Sequence, residues 1–236
     1  MIPEVPNRHD PRIEEVATSA NTGLNSTVGE VSDSWHRCLE DYHVDPKSRT
    51  APNVVTQSEL RASKELVTDV IMQAREEIDR LYAIVRQQGY VVLLCNKDGV
   101  AIHHRGDESR ADDFKHWGIW LGGIWSERIE GTNGIGTCIN EQRPVLVHCG
   151  QHYRSRHSQL TCAGAPIFNA LGELTGVLDV SAVASQGRIS RNSWCSRPPS
   201  RLHAPWKSDC FESISATRGS LRRCQWTKAW RDCCSR

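Results

Sequence analysis

The chain has 236 residues, 24% charged and 38% hydrophobic, with a formal net charge of +1. That length accommodates one ordinary domain with extensions, and that composition excludes a wholly disordered chain. No run approaches the roughly 18 apolar residues of a membrane helix, and the opening Met1-Ile2-Pro3-Glu4-Val5-Pro6 lacks the basic flank and apolar core of a secretory signal, so a cytosolic protein is expected.

Residues 1–25 are polar, with Pro and Asn, and read as a flexible N-terminus. A helical segment is predicted over 26–88. Thr27-Val28-Gly29-Glu30 has the form of a capping box, and Val28, Val31, Trp35, Leu39 and Tyr42 follow at helical spacing until Asp45-Pro46 stops the helix. Thr56-Gln57-Ser58-Glu59 is a second capping box. Behind it Val67, Ile71, Ala74, Ile78, Leu81 and Val85 recur at intervals of 4 and 3, a heptad seam suited to pairing with a second copy as well as to packing on a sheet. Gly89 closes this helix. Tyr90 to Cys95 reads as a buried strand, Asp98-Gly99 as a turn in which both residues can take positive φ, and Val100 to His104 as the returning strand. A loop and short helix over 107–117 lead to Trp117 and Trp120. Asn133 to Glu141 reads as a short helix whose Gly134 and Gly136 permit close approach to a sheet. Pro144 to His148, Cys162 to Phe168 and Leu174 to Ser181 are three further strands, with Asn169 to Glu173 as a turn. The sum is α+β: an antiparallel sheet of five or six strands flanked by helices, its core at 89–183.

From 184 to 236 the character changes. Valine occurs 18 times before Gly187 and never after it, while the last 50 residues hold 9 Ser, 9 Arg, 5 Cys and 4 Trp. This segment carries 11 basic and 3 acidic residues, leaving 18 and 25 before it, so a net +8 follows a net −7. Trp194, Trp206, Trp226 and Trp230 follow neither the helical nor the strand period. Three readings stand: a basic nucleic-acid-binding tail, a cysteine-based metal module around Cys210, Cys224, Cys233 and Cys234, and an out-of-frame product of a GC-rich gene. The third fits the composition best, and it predicts a tail that buries no core.

Several stretches then carry a resemblance: Ser34-Trp35-His36-Arg37-Cys38-Leu39 with Asp45-Pro46, Trp125-Ser126-Glu127, Gly131-Thr132-Asn133-Gly134-Ile135-Gly136-Thr137, Arg143-Pro144-Val145, His152, Thr161-Cys162 with Ala165-Pro166-Ile167-Phe168, and Gly176-Val177-Leu178-Asp179-Val180-Ser181. In this order they resemble the N-terminal GAF sensor region of sigma-54-dependent transcriptional activators of the acetoin catabolism regulator type, over about 30–183. Members of that family continue into a helix completing the domain, an AAA+ ATPase and a Fis-type helix-turn-helix. No G-x-x-x-x-G-K-[ST] occurs in this chain, so the resemblance implies a truncated, frame-shifted regulator without motor or DNA-binding parts, and no direct DNA binding.

The resemblance implies a pocket between the sheet and the irregular segment at 106–137, with Trp120, Trp125, Glu127, Thr132, Asn133, Thr137 and Cys138 as candidate lining. Aromatic walls with a few polar groups suit a small organic ligand such as acetoin, an alcohol or a ketone. The alternative is that the tryptophans are core and Thr132-Asn133 cap a helix. Asp179, on a strand that otherwise reads as buried, needs either a hydrogen-bond donor or the pocket. His148, His152, Cys138, Cys149 and Cys162 fit no standard metal spacing, and no C-x-x-C pair exists among the 10 cysteines, so neither metal nor cofactor is expected. The leading function is therefore a non-enzymatic ligand sensor, pairing as a homodimer through the helix at 57–88. The competing class is a thiol enzyme on the same fold, such as a GAF-type methionine sulfoxide reductase using Cys138 and Cys162.

Overall fold

The computed structural model describes residues 28–65 and 67–183. The expected flexible N-terminus, residue Thr27 of the first capping box and the whole tail from 184 lie outside the described residues.

Helix α1 (Val28–His36) runs into a five-residue π-turn (Arg37–Asp41). The long second helix is in fact two. Helix α2 (Gln57–Glu65) is followed by α3 (Thr68–Val85), because Val67 leaves helical geometry at φ −130°. Thr56 and Glu59 form the expected capping box, with the Thr56 N–H on Glu59 Oε2 at 2.8 Å and the Glu59 N–H on Thr56 Oγ1 at 3.3 Å. After a 3₁₀ turn, Gly89 closes the pair at φ +79°.

Five strands form one antiparallel sheet: β1 (Val91–Asn96), β2 (Ala101–Arg105), β3 (Val145–His148), β4 (Leu160–Phe168) and β5 (Leu174–Val183), in the order β2-β1-β5-β4-β3. The expected choice of five or six resolves to five among the described residues. In the β1–β2 turn only Gly99 takes a positive φ. Asp98 does not, because Asn96 Oδ1 accepts the N–H groups of Asp98 and Val100 and closes the turn from the strand side.

Every residue of β1 is buried, since both faces of the sheet are covered. On one face Val92 and Leu94 meet Ile78, Leu81 and Val85 of α3 in one core. The heptad seam is thus used within the chain, with Val67, Ile71 and Ala74 partly buried against the same cluster. On the other face Val91, Leu93 and Cys95 join Val31, Trp35, Phe114, Trp125, Ile135, Tyr153 and Val177 in a second core. This face carries α4 (Ala111–Trp117), α5 (Glu127–Glu130) and α6 (Gly134–Glu141). No helix of the described residues is long and apolar enough to cross a membrane.

Helix α6 lies closer to the sheet than side chains would permit. A Cβ on Gly164 would stand 2.0 Å from the Gly134 carbonyl oxygen, and one on Gly134 would stand 2.7 Å from the Cys162 Cβ. Two glycines, one on each element, bring the helix N-terminus directly over β4 and β5.

Candidate functional site

Asn133 is the centre of the second face. Its Oδ1 accepts the N–H groups of Ile135 at 2.9 Å and Gly136 at 2.8 Å, capping α6, while its Nδ2 donates to the carbonyls of Trp125 and Gly131. All of its hydrogen-bonding capacity is used within the chain, so Asn133 ties the start of α6 to Trp125 and Gly131, which flank α5. Trp125 is likewise buried and donates its indole N–H to the Gly118 carbonyl at 2.9 Å.

Thr132, Thr137 and Glu127 are buried beside this cap, and all three turn towards α1. Ser34 Oγ shares hydrogen bonds with Thr132 Oγ1 at 2.7 Å and Thr137 Oγ1 at 3.2 Å. Arg37 donates from Nε and Nη2 to the two Glu127 oxygens at 2.8 and 3.2 Å, and its Nη1 stands 2.8 Å from Glu141 Oε1. Burial works against the Arg37 charge, but its bonds to Glu127 and Glu141 outweigh this and hold the guanidinium protonated above its ordinary range. Burial, then the Glu127 charge, push the neighbouring Cys38 thiol up to about 12.

Cys138, on α6 over Gly164, and Asp179, on β5, are both fully buried. The Ser181 hydroxyl donates to Asp179 Oδ2 at 2.5 Å, whereas Oδ1 has no hydrogen-bond partner. Burial raises the Asp179 carboxyl to about 7 despite the Ser181 bond. The sequence candidates thus separate. Glu127, Thr132, Asn133 and Thr137 come together, Cys138 and Asp179 lie below them, and Trp125 forms a wall. Trp120 packs against the same core but through other neighbours, its ring 3.9 Å from His104 and stacked on Phe114 at 5.9 Å.

The groups that complete this face are His152, Cys149 and Cys162, weighed from the sequence only as metal ligands or a thiol nucleophile, and His157, to which sequence reasoning gave no role. His152 Nδ1 donates to the Cys149 carbonyl at 3.0 Å, so its Nε2 is left as the acceptor facing Cys162 Sγ at 3.3 Å. Burial lowers His152 to about 4, and raises Cys162 well above the thiol range with help from Asp179. This Cys–His pair is neutral and enclosed, the opposite of an activated nucleophile. His157 is buried and accepts from Arg156 Nε at 2.8 Å; burial and its cationic neighbours bring it to about 2. Its 3.5 Å approach to Glu130 is therefore not an ion pair; Glu130 is instead balanced by Arg154 and Arg156 at 3.7 and 3.8 Å. Cys149 lies beyond the strand that ends at His148: it turns away at φ +47° into a 3₁₀ turn. Among the described residues no three His, Cys, Asp or Glu side chains converge.

Comparison with known proteins agrees with the resemblance. The acetoin catabolism regulatory protein of Cupriavidus necator is 35% identical over 155 residues, covering 66% of this chain and 23% of the relative. The acetoin dehydrogenase operon transcriptional activator AcoR of Bacillus subtilis is 29% identical over 66% of this chain and 26% of its own length. The propane 2-monooxygenase operon transcriptional activator MimR of Mycolicibacterium smegmatis is 26% identical over 167 residues, 69% of this chain and 27% of the relative. The chain thus spans about a quarter of the length of the curated relatives it matches. These relatives are regulators by name, in keeping with a non-enzyme. A chain in the solved E. coli DhaR(N)–DhaL complex shares the fold, with a TM-score of 0.61 at 15% identity over 66% of this chain and 53% of that one. Residues 11–190 match the family described as MimR, N-terminal domain, and the chain belongs to that family.

Proposed function

We propose that this chain carries the ligand-sensing GAF domain of a cytoplasmic, sigma-54-dependent transcription activator, and that its ligand is a small uncharged metabolite such as acetoin, an alcohol or a ketone. The observation carrying this reading is the set of buried polar groups at Glu127, Thr132, Thr137 and Asp179, concentrated on one face of the sheet beside Trp125 and Cys138 and positioned by Asn133. Such a density of enclosed hydrogen-bonding groups within an apolar core suits recognition of a small polar molecule. The match to regulators of acetoin metabolism points to a ligand of that size. Ligand would act by favouring one of two arrangements of the domain. Homodimerisation belongs to the same proposal, and would use faces of α2 and α3 turned away from the sheet, because the seam is occupied. The out-of-frame origin proposed for 184–236 is tested by the nucleotide sequence around codon 184.

The experiment is calorimetric titration of the full chain with acetoin, butanediol and butanone. Saturable binding of at least one is expected, weakened about tenfold by Thr137→Val through loss of one hydroxyl. Absence of binding by any of the three would remove the ligand reading.

A further inference from the structure

We infer that helix α1 and its π-turn form a strap over the candidate site, held shut by Ser34 and Arg37, and that the polar groups at 127–137 become reachable only when this strap detaches. The inference rests on the site reading above and adds how the site is entered. Glu127, Thr132 and Thr137 are all enclosed, so nothing from solvent meets them without displacement of a covering element. The helix that carries Thr137 is a poor candidate. Helix α6 is capped twice by Asn133 and seated through Gly134 on the backbone of β4, where the glycines leave no slack. Helix α1 is different. It contributes no strand to the sheet; Val31 and Trp35 seat it in the core, the Trp35 indole N–H donates to the Gln151 carbonyl at 2.8 Å and Glu30 meets Arg143 at 3.2 Å, while its remaining polar contacts run to the very groups in question: Ser34 to Thr132 and Thr137, Arg37 to Glu127 and Glu141, and Cys38 Sγ to Thr132 Oγ1 at 3.7 Å. Ser34 thus occupies a hydroxyl position that a ligand would need. Arg37 is the exposed end of the clasp, a quarter accessible while Glu127 is buried. Ser34, Arg37 and Cys38 stand at i, i+3 and i+4 and so share one face, and the chain passes at Arg37 into a π-turn, a geometry that recurs at functional sites.

The test is native-state hydrogen exchange on the full chain, read by mass spectrometry, together with methyl methanethiosulfonate labelling mapped to individual cysteines. The expected result is an opening that exposes amides 31–42 and the Cys38 thiol while β1, β4 and β5 stay protected, as in a sub-global unfolding unit. Arg37→Gln should speed exchange over 31–42 and labelling of Cys38 by about tenfold, and leave the sheet amides within about twofold. Arg37→Lys, which keeps the charge, should restore part of the protection. Thr132→Cys oxidised onto Cys38 should slow α1 exchange to the rate of the sheet, and its reduced form, which has lost the Thr132 hydroxyl on Ser34, should open faster than the parent. Amides of α1 exchanging no faster than those of β1 in the parent chain would overturn the strap, as would a uniform acceleration by Arg37→Gln. Both measurements proceed without ligand, so failure here leaves the binding experiment above to judge the site on its own.

Discussion

Asp179→Asn isolates one buried group whose effect on stability has a definite sign. The carboxyl lies fully enclosed on β5, opposite Leu93 and Gly164 in the ladder, with one oxygen bonded to Ser181 and the other unbonded. Burial raises it from an ordinary 3.8 to about 7. In the folded protein it therefore keeps its proton between those values while the unfolded chain releases it. The folded state binds more protons, so stability falls as pH rises through this window and levels off above about pH 7. Each unit of difference is worth about 1.4 kcal/mol. Between pH 5 and pH 8 this gives a loss of about 2–3 kcal/mol attributable to one residue. Asparagine has the same shape and no proton to lose. Urea unfolding of parent and variant at half-unit intervals from pH 5 to pH 8.5 should show the variant gaining on the parent by about that amount, with most of the gain below pH 7. Parallel pH profiles would refute the reasoning and show that the carboxyl meets an unrecorded partner that keeps it charged.

Three further outcomes follow from the same packing. Asn133→Asp keeps the two capping bonds but loses the donors to Trp125 and Gly131 and buries a charge; denaturant melts should show a loss of about 3 kcal/mol, exceeding the usual cost of a missing cap. Gly164→Ala must lift α6 from β4 and should cost at least about 3 kcal/mol or prevent folding, whereas Gly150→Ala, which meets nothing within 4 Å, should leave the melting curve within about 0.5 kcal/mol of the parent. Iodoacetamide at neutral pH, mapped by mass spectrometry, should leave Cys95, Cys138 and Cys162 unmodified in the folded protein, since all three are buried and shifted towards the neutral thiol. Rapid alkylation of Cys138 or Cys162 would revive the thiol-enzyme alternative.

The elements were legible because each announces itself over a few residues. The Thr56–Glu59 box, Gly89 as a helix stop, the apolar runs of β1 and β5 and the asparagine before α6 are local chemistry, and each appears within a residue or two of its expected place. The seam on α3 was visible but its partner was not, because a stripe that fits a second helix also fits the outer face of a sheet. The same limit governs the site. The resemblance supplied Glu127, Thr132, Asn133 and Thr137, with Trp120, Trp125 and Cys138, as candidate lining. It could not say that Ser34 and Arg37, about 90 to 100 positions away, would take up their hydroxyls and carboxylate. Nor could it separate Trp120, five residues from Trp125, into a different part of the core. What the chain alone determined is therefore the fold class and the capped, amphipathic pieces, set by neighbours within about one helical turn. Which buried polar group faces which, and that α1 closes over them, was decided only by tertiary packing, because the energy of an enclosed hydroxyl or carboxylate depends on partners that the chain brings together from distant segments.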